Sequence, residues 1–456
     1  MAAKEKKRKG LYLSIIIVIL IVFLGGFFVV NLFEGESPSI KTRPLAEYVS
    51  GAVSVTIEAS DSRRGLRSIR AVVVQNGSEK VLLEKLYPFS GLMNREGTRF
   101  MREEIQFDPK RLGLAQGRAV MEIRCRDYSM RSGGDGNLTV LRQETTIDTV
   151  PPSVRSISGL HYVNEGGTGF VVYKTSSDTS DSGVSVGSEF YRGFLHPSSK
   201  NEGMYECFFP IPYDFKPETQ IRLWARDSAG NNAMSPFHCK VRKKKFPSDK
   251  MVITDKFLEK ILPYFQGRVD FDSTGKLEQF LKINREVRVF NDRTLSEVRS
   301  KTAPEHLWEG SWLRLPNAAT MARFGDSRTY YYEGKAVDAQ VHLGIDLASL
   351  ANSAVPAANS GKVIIAEELG IYGKTIVLDH GMGVASLYSH LSEIKVSVGQ
   401  DIKKGDTIGI TGQTGLAGGD HLHFAVMVQG VFVNPIEWWD QRWIDENIYK
   451  RIALIN

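Results

Sequence analysis

The sequence predicts a mainly β, multi-domain protein with an N-terminal transmembrane helix. Three observations support this prediction. Residues 11–33 form an uncharged apolar run, residues 48–242 consist of short alternating runs separated by turn residues, and 456 residues exceed the size of one ordinary core. The charged and apolar fractions, 24% and 42%, are those of globular proteins, so neither a disordered nor a fibrous chain is expected.

The N-terminus has the pattern of a membrane anchor. Residues 1–10, "MAAKEKKRKG", are strongly basic, and the apolar run at 11–33 is long enough to cross a bilayer as a helix. Because basic flanks stay on the cytoplasmic side, we expect a single pass through the inner (cytoplasmic) membrane, with the bulk of the chain in a periplasm or an equivalent space. A cleaved signal peptide is the alternative, but "NLFEGESPS" supplies no small-residue cleavage site.

Two similar β-rich segments follow, at 45–148 and 149–242. Both contain an early Asp-Ser turn, at Asp61 and again at Asp181, and a late strand that ends in Arg-Asp. The "DTVPP" junction and the stretch "ARDSAGN" resemble bacterial immunoglobulin-like modules, so we expect two β-sandwiches. Such modules would act as spacers or bind cell-wall protein partners. A sandwich without a ligand is the simpler interpretation.

A short helical linker segment is predicted at 250–305. Thr254 or Asp255 is a candidate N-cap for "TDKFLEKILPYF", and Thr294 with Glu297 forms a candidate capping box. Apolar residues in "STGKLEQFLKINREV" recur at helical spacing. We expect these apolar stripes to pack against the neighbouring domain. An autoinhibitory role for the segment is the less favoured alternative.

The three cysteines fit two interpretations, a disulfide or buried free thiols. Cys207 and Cys239 fall within one predicted module and would be able to form a disulfide in an exported compartment, which leaves Cys125 unpaired. Three buried free thiols are an equally good interpretation. Because the sequence has no CxxC pair, a cysteine metal site is not expected.

Histidines concentrate near the C-terminus. Five of the nine lie in one segment: His342, His380, His390, His421 and His423. In "GGDHLHFAVMVQG", His421 and His423 precede an apolar run that is typical of a strand. Since side chains at i and i+2 leave the same face of a strand, both imidazoles are expected to point into the same space.

This pattern fits a zinc site. A hydrolytic zinc ion takes three His, Asp or Glu ligands and keeps one position for water. His342, Asp346 and one histidine of the HxH pair would supply that set, while His390 and the other would act on the water. A structural zinc site is the alternative, but such a site is usually closed by four protein ligands.

The motifs at 323–439 resemble those of the M23 (lysostaphin-type, LytM-like) zinc metallopeptidases, which cut the peptide part of peptidoglycan. "HLGID", "YGKTIVLDHGMGVASLYSHL", "VGQDIKKGDTIGITGQTG" and "HLHF…VNP" occur in the family order. The resemblance implies an antiparallel-β peptidase domain, which we place at 309–445. It also implies that the zinc ligands are His342, Asp346 and His423, and that the unliganded catalytic histidines are His390 and His421. His380 matches a family histidine outside the metal shell.

The expected function is that of a membrane-anchored zinc endopeptidase that hydrolyses the peptide cross-links of peptidoglycan in cell-wall remodelling. The alternative is a LytM-like regulator or scaffold that binds and activates another cell-wall hydrolase. All five family site residues are present, which argues against that alternative. A released enzyme aimed at foreign cell walls is disfavoured by the anchor. Nucleic-acid binding is not expected, because the net charge of +6 is not gathered into a basic face interleaved with aromatic residues.

Overall fold

The computed structural model describes residues 2–199, 203–272 and 274–455. It divides into two compact units. The first is Met1–Pro151 with Ser228–Asn231, and the second is Pro152–Asp227 with Asn232–Asn456. The second β-rich module and the C-terminal region therefore belong to one unit. The prediction of a mainly β, multi-domain chain is confirmed.

Helix α1 (Ala2–Leu32) begins upstream of the apolar run, because the basic residues before it continue the helical pattern. Within the described residues, its segment Arg8–Leu32 is the one helix long and apolar enough to cross a membrane. A signal sequence near an N-terminus satisfies the same criteria of length and composition. The apolar helix is thus part of the fold.

The first module is a two-layered sandwich. One sheet has the strand order β1-β3-β6 and the other β2-β8-β7-β4-β5. Buried side chains of both sheets, such as Ile57, Phe107 and Ile123, share one core. The elements are β1 (Ser39–Thr42), β2 (Tyr48–Val49), β3 (Val53–Ser60), β4 (Leu66–Gln75), β5 (Ser78–Leu86), β6 (Phe100–Phe107), α2 (Pro109–Leu112), β7 (Gly117–Asp127), α3 (Arg131–Gly134) and β8 (Leu138–Ile147).

The second module is also a sandwich. Its main sheets have the orders β14-β15-β11-β9 and β13-β12-β16-β17, and β10 pairs with β18. The strands are β9 (Val154–Ser156), β10 (His161–Asn164), β11 (Thr168–Thr175), β12 (Thr179–Val186), β13 (Glu189–Arg192), β14 (Phe194–Leu195), β15 (Met204–Pro210), β16 (Ile221–Asp227), β17 (Asn232–Pro236) and β18 (Cys239–Arg242). Cys125, Cys207 and Cys239 are all free thiols, so the disulfide considered from the sequence is not formed.

The helical segment differs from its predicted form in two places. Its first residues belong to strand β19 (Ser248–Ile253), which pairs in parallel with β21 (Asp326–Tyr332) of the C-terminal region. The candidate capping box is wrong, because Thr294 lies inside a helix and its hydroxyl donates to the Phe290 carbonyl at 3.1 Å. The N-cap at Thr254 is confirmed, since its Oγ1 accepts from the Phe257 amide at 3.2 Å. The helices are α4 (Asp255–Phe265), α5 (Lys276–Lys282) and α6 (Arg288–Ser296).

The C-terminal region is built on antiparallel strands. Its largest sheet follows the order β20-β23-β31-β27-β26-β25-β29, with β32 paired to β31. Two smaller sheets, β24-β30-β28 and β19-β21-β22, flank it. The strands are β20 (Ala319–Ala322), β21 (Asp326–Tyr332), β22 (Lys335–His342), β23 (Ile345–Ala348), β24 (Ala354–Pro356), β25 (Gly361–Leu369), β26 (Gly373–Asp379), β27 (Val384–Leu391), β28 (Glu393–Ile394), β29 (Asp401–Ile402), β30 (Thr407–Ile410), β31 (Leu422–Val428) and β32 (Val431–Val433). Helices α7 (Ile436–Trp439), α8 (Gln441–Ile444) and α9 (Lys450–Ile452) follow.

The helical segment packs as the sequence predicts. Leu258, Phe265, Phe280 and Leu295 are buried in the same apolar cluster as the strands of the largest sheet. The helices therefore form part of the core of the C-terminal region rather than a separate domain.

Two buried polar side chains join the second module to the C-terminal region. Gln429, in the β31–β32 turn, accepts from the Arg192 amide at 2.8 Å and donates to the Phe208 carbonyl at 2.7 Å. Glu437 of α7 accepts from Asn164 Nδ2 and from the Thr168 amide, both at 2.8 Å. Because buried polar groups must be paired, these contacts fix the position of the module on the C-terminal region.

Candidate metal centre

The register of the largest sheet brings the predicted site residues together. On the antiparallel strands β23 and β31, Asp346 lies opposite His423. His423 also lies opposite Ser389 of β27, the residue before His390. His342 is the last residue of β22, just before β23 begins. Four residues that are up to 81 positions apart in the chain thus meet at one end of the sheet.

Three donor atoms of these residues form a triangle with equal sides. Asp346 Oδ1 lies 2.9 Å from both His342 Nε2 and His423 Nδ1, and the two nitrogens lie 2.9 Å from each other. All three residues are buried. An ion with metal–ligand distances of about 2.0–2.1 Å fits above the centre of such a triangle. Two imidazoles and one carboxylate, with a fourth position open, are the donor set of hydrolytic zinc sites, so these residues fit zinc.

Neighbouring groups orient the donor atoms. The Nδ1–H of His342 donates to the Arg323 carbonyl at 3.0 Å, which leaves the Nε2 lone pair directed at the triangle. The second oxygen of Asp346 accepts from Arg328 Nη2 at 3.1 Å, which leaves the first oxygen available to a metal. Burial alone would raise the pKa of Asp346, but the adjacent imidazoles of His342 and His423 lower it well below its usual value. The carboxylate is therefore held in its charged, metal-binding form.

Gly344 makes room for the His423 ring. A Cβ at this position would lie 2.5 Å from His423 Cε1 and 2.8 Å from the Phe424 carbonyl oxygen. Such separations are far inside van der Waals contact, and the oxygen belongs to the rigid strand β31. The glycine of the "HLGID" motif is thus required for close approach of β23 to the His423 imidazole.

His390 and His421 form a second pair beside the triangle. Their ring centroids are 4.8 Å apart. The Nδ1 of His390 is 2.8 Å from the Thr414 carbonyl oxygen, and the Nδ1 of His421 is 2.8 Å from the Gly419 carbonyl oxygen. Because a carbonyl only accepts, each Nδ1 carries the proton and each Nε2 presents a lone pair. His421 Nε2 lies 3.6 Å from Asp346 Oδ1, so this lone pair faces the triangle.

Burial determines the charge state of the imidazoles. It lowers the pKa of His390 well below its usual value, and the neighbouring His421 and His423 add to that shift. Burial also lowers the pKa of His423 to about 4. Both rings are therefore neutral near pH 7, the state required of a metal ligand and of a general base. His390 also has a backbone φ of 63°, a conformation that is costly for a non-glycine residue and that concentrates at functional sites.

His380 lies outside this centre. Its Nδ1 is 2.7 Å from the Ser360 carbonyl oxygen and its Nε2 is 2.7 Å from Ser386 Oγ. The ring is fully buried against Trp312, with centroids 4.3 Å apart. Its contacts are those of a core histidine, in agreement with the position outside the metal shell that the resemblance implies.

The metal centre opens into a cleft of about 480 Å³. Sequence analysis missed two contributors to its walls. Arg328 reaches Asp346 from β21, and the helical segment supplies Phe257, Phe280 and Arg288. The capping and periodicity signals located the helices but did not show which element they pack against. Nothing in the strand sequence "DSRTYYY" shows which carboxylate Arg328 contacts.

Comparisons with known proteins concern the same part of the chain. The model of peptidase family M23 matches residues 340–435. Over 97 residues the chain is 35% identical to the DD-carboxypeptidase/endopeptidase Mpg of Neisseria meningitidis. This alignment covers 21% of this chain and 22% of that protein. Over 95 residues the chain is 36% identical to the murein hydrolase activator EnvC of Escherichia coli. This alignment covers 21% of this chain and 23% of that protein.

Among solved structures, the catalytic domain of lysostaphin from Staphylococcus simulans is 29% identical, with a TM-score of 0.25. The similarity covers 29% of this chain and 98% of that domain. The chain spans only about a fifth of the length of the curated relatives it matches, so these similarities concern the domain that holds the metal centre. Residues 340–435 therefore form a domain of peptidase family M23.

Proposed function

We propose that the protein is a membrane-anchored zinc endopeptidase that hydrolyses the peptide cross-links of peptidoglycan. The observation that carries the proposal is the arrangement of five side chains in one cleft. Three donor atoms stand 2.9 Å from one another, and two further imidazoles stand beside them with Nε2 unprotonated. A regulator that only binds a partner has no need for this complete set.

The residues divide into two groups by their contacts. His342, Asp346 and His423 hold the metal, because their donor atoms form the triangle. When bound, zinc polarises a carbonyl group and makes water acidic enough to lose its proton near neutral pH. His390 and His421 remain free to move protons, since neither contributes an atom to the triangle.

The two free histidines are suited to general acid–base chemistry. Their neutral Nε2 atoms accept a proton from the attacking water, and the resulting imidazolium donates it to the nitrogen that leaves. His421 Nε2 lies 3.6 Å from Asp346 Oδ1, at the edge of the triangle where the reacting groups would lie. An imidazolium at either position also stabilises the negative charge that develops on the carbonyl oxygen.

The substrate class is supported by the relatives. One matched relative is named as a DD-carboxypeptidase/endopeptidase, and one matched structure is the catalytic domain of lysostaphin, described as an antimicrobial peptidase. An extended peptide is also a suitable occupant of an open cleft of about 480 Å³. The apolar helix Arg8–Leu32 supports anchoring in the inner membrane, with the peptidase domain on the outer, wall-facing side.

A second candidate function is that of a regulator that activates another cell-wall hydrolase. The observation in its favour is the 36% identity to a murein hydrolase activator. The two functions differ in their dependence on the free histidines. A regulator would retain its effect on its partner when His390 is replaced, whereas a peptidase would not.

The experiment is digestion of purified sacculi by the full chain in detergent. Zinc-loaded protein is expected to release muropeptide fragments whose masses show the cleaved peptide bond. The His390→Ala protein is expected to bind zinc and release none. If wild-type protein with full zinc occupancy leaves sacculi from several species intact, the peptidase proposal is wrong and the regulatory function is favoured.

A further inference from the structure

Two aspartates of the first module lie close together: Asp61 of its early turn and Asp127 at the end of its late strand. Asp61 directly follows β3, and Asp127 ends β7, so the two residues come from different sheets of the sandwich. Glu34, which follows helix α1, joins them. One carboxylate oxygen from each residue lies within 4.8 Å of the others. Asp61 is 3% exposed and Asp127 is 0% exposed. The peptidase function uses none of these side chains.

One carboxylate oxygen in this group has no partner. Asp61 Oδ1 accepts from the backbone amides of Arg63, Arg64 and Gly65 at 3.1, 2.7 and 2.5 Å. Asp61 Oδ2 is buried and, among the described residues, accepts no hydrogen bond. A buried carboxylate oxygen without a partner is costly unless an unseen group satisfies it. The oxygen therefore points to a ligand in the group.

The neighbouring arginines do not supply the missing charge. Arg63 pairs with Glu36 at 3.1 Å. The Arg64 guanidinium donates to the carbonyl oxygens of Tyr128 and Met93. Arg131 donates to the Phe33 carbonyl at 2.9 Å. These three guanidinium groups are directed at other acceptors, and no ion pair to Glu34, Asp61 or Asp127 is formed by the residues that the structure describes.

Four carboxylate and carbonyl oxygens surround the side-chain amide of Asn137 beside this group. Asn137 Nδ2 lies 2.8 Å from Asp127 Oδ2, 3.3 Å from Glu34 Oε1 and 3.2 Å from the carbonyl oxygens of both Glu34 and Glu36. An amide nitrogen has two protons and cannot satisfy four acceptors. The backbone amides of Ser129 and Asn137 donate to Asp127 Oδ1, and the Glu36 amide donates to Glu34 Oε2. Carboxylate and carbonyl oxygens, the kinds gathered here, are the ligands of Ca²⁺, which takes six to eight of them in irregular geometry.

We propose that Glu34, Asp61 and Asp127 bind a Ca²⁺ ion. This site goes beyond the proposed peptidase function and does not depend on it. Because Glu34 belongs to the segment after helix α1 while both aspartates belong to the first module, the ion ties the segment to the module. Ser129 Oγ already donates to the Glu34 carbonyl at 2.8 Å, so the segment lies in position before the ion binds. Calcium binding then stiffens the connection between the anchor helix and the first module.

Calorimetric titration of CaCl₂ into the zinc-saturated full chain in detergent tests the proposal. Replacing Glu34, outside the sandwich core, by Gln removes a ligand charge with little risk to folding. Glu34→Gln and Asp127→Asn are each expected to abolish one Ca²⁺ per chain or weaken its binding at least tenfold. Asp135→Asn, an equivalent charge change on an exposed aspartate of the same loop, is expected to alter binding less than twofold.

Hydrogen exchange supplies a second measurement on the same proteins. Saturating Ca²⁺ is expected to slow exchange of the backbone amides at 34–36 at least fivefold in the wild type and in Asp135→Asn, but not in Glu34→Gln. The proposal is overturned if the wild type binds no Ca²⁺ at 5 mM (~5-fold above the weakest affinities of extracellular sites). It is also overturned if Glu34→Gln and Asp127→Asn bind as many ions as the wild type with equal affinity.

Discussion

Asp346 and His423 lie directly opposite each other on antiparallel strands, with Asp346 Oδ1 2.9 Å from His423 Nδ1. Cross-strand pairs of this kind have a separation fixed by the backbone hydrogen bonds of the sheet. The donor atoms are therefore positioned by rigid elements before any metal arrives. His342, at the end of β22, completes the triangle from a second sheet.

Arg328 is expected to position Asp346. Its Nη2 donates to Asp346 Oδ2 at 3.1 Å, so its loss allows the carboxylate to rotate. Partners of metal ligands typically contribute about 10–100-fold to metal affinity. We expect Arg328→Gln to weaken zinc binding by about tenfold or more in competition with a chelator, and Arg328→Lys to restore part of the affinity. Arg442→Gln, on an exposed surface of α8, should leave affinity unchanged. Equal affinities for Arg328→Gln and the wild type would remove the positioning role.

Gly344 is expected to tolerate no side chain. A Cβ would lie 2.5 Å from His423 Cε1, so Gly344→Ala must displace the imidazole or strand β23. We expect reduced zinc occupancy after purification, measured by elemental analysis, with the domain still folded by circular dichroism. Gly159→Ala is a matched control, because a Cβ there meets no atom within 4 Å. Full occupancy in Gly344→Ala would show that the loop adapts and that the steric argument is wrong.

Glu437 is expected to make stability depend on pH. Burial raises the pKa of this carboxyl from 4.5 to about 7. The folded state therefore binds the proton more tightly than the unfolded state, and the free energy of unfolding falls as pH rises from about 4.5 to 7. The full effect is about 3 kcal/mol at 1.36 kcal/mol per pKa unit.

Thermal unfolding of the full chain between pH 4.5 and 8 measures this effect. Glu437→Gln stays neutral, so its melting temperature should rise relative to the wild type as the pH increases. Glu446→Gln, which changes an exposed carboxyl, should follow the wild type at every pH. A constant difference between Glu437→Gln and the wild type would show that this carboxyl does not titrate in the folded protein.

The topology proposal predicts that residues beyond about 34 are exported. A reporter fused after residue 456 is expected to be active only outside the cytoplasm, and the protein should remain in the membrane fraction. Protease added to intact spheroplasts is expected to remove the peptidase domain. Protection of the domain until the cells are lysed would place it in the cytoplasm and exclude peptidoglycan as its substrate.

Local patterns predicted the parts of the site that depend on local geometry. The period of a strand was enough to place His421 and His423 on one face, and the structure has both directed at Asp346. The Thr254 cap was also local and is confirmed. The capping box predicted at Thr294 was wrong because a Thr-x-x-Glu pattern fits a helix interior as well as a helix start. Thr294 lies inside α6, whose preceding turns continue the helix through this position.

Features that depend on distant contacts were not predictable. Nothing near Glu437 in the sequence shows that it is buried against Asn164 and Thr168, more than 260 residues away. Arg328 likewise became a partner of Asp346 through the meeting of two sheets. The repeated aspartates were visible as a pattern, but their convergence with Glu34 depends on how the two layers of the sandwich close.

The most direct test compares the different roles assigned to His421 and His423 of the HxH pair. Zinc content and sacculus hydrolysis are measured on the same preparations of wild type, His421→Ala and His423→Ala. His423→Ala is expected to lose both metal and activity, as chelation of the wild type should. His421→Ala is expected to retain about one zinc per chain and to lose turnover by about a hundredfold or more. An empty His421→Ala beside a zinc-loaded, active His423→Ala would contradict the assigned roles.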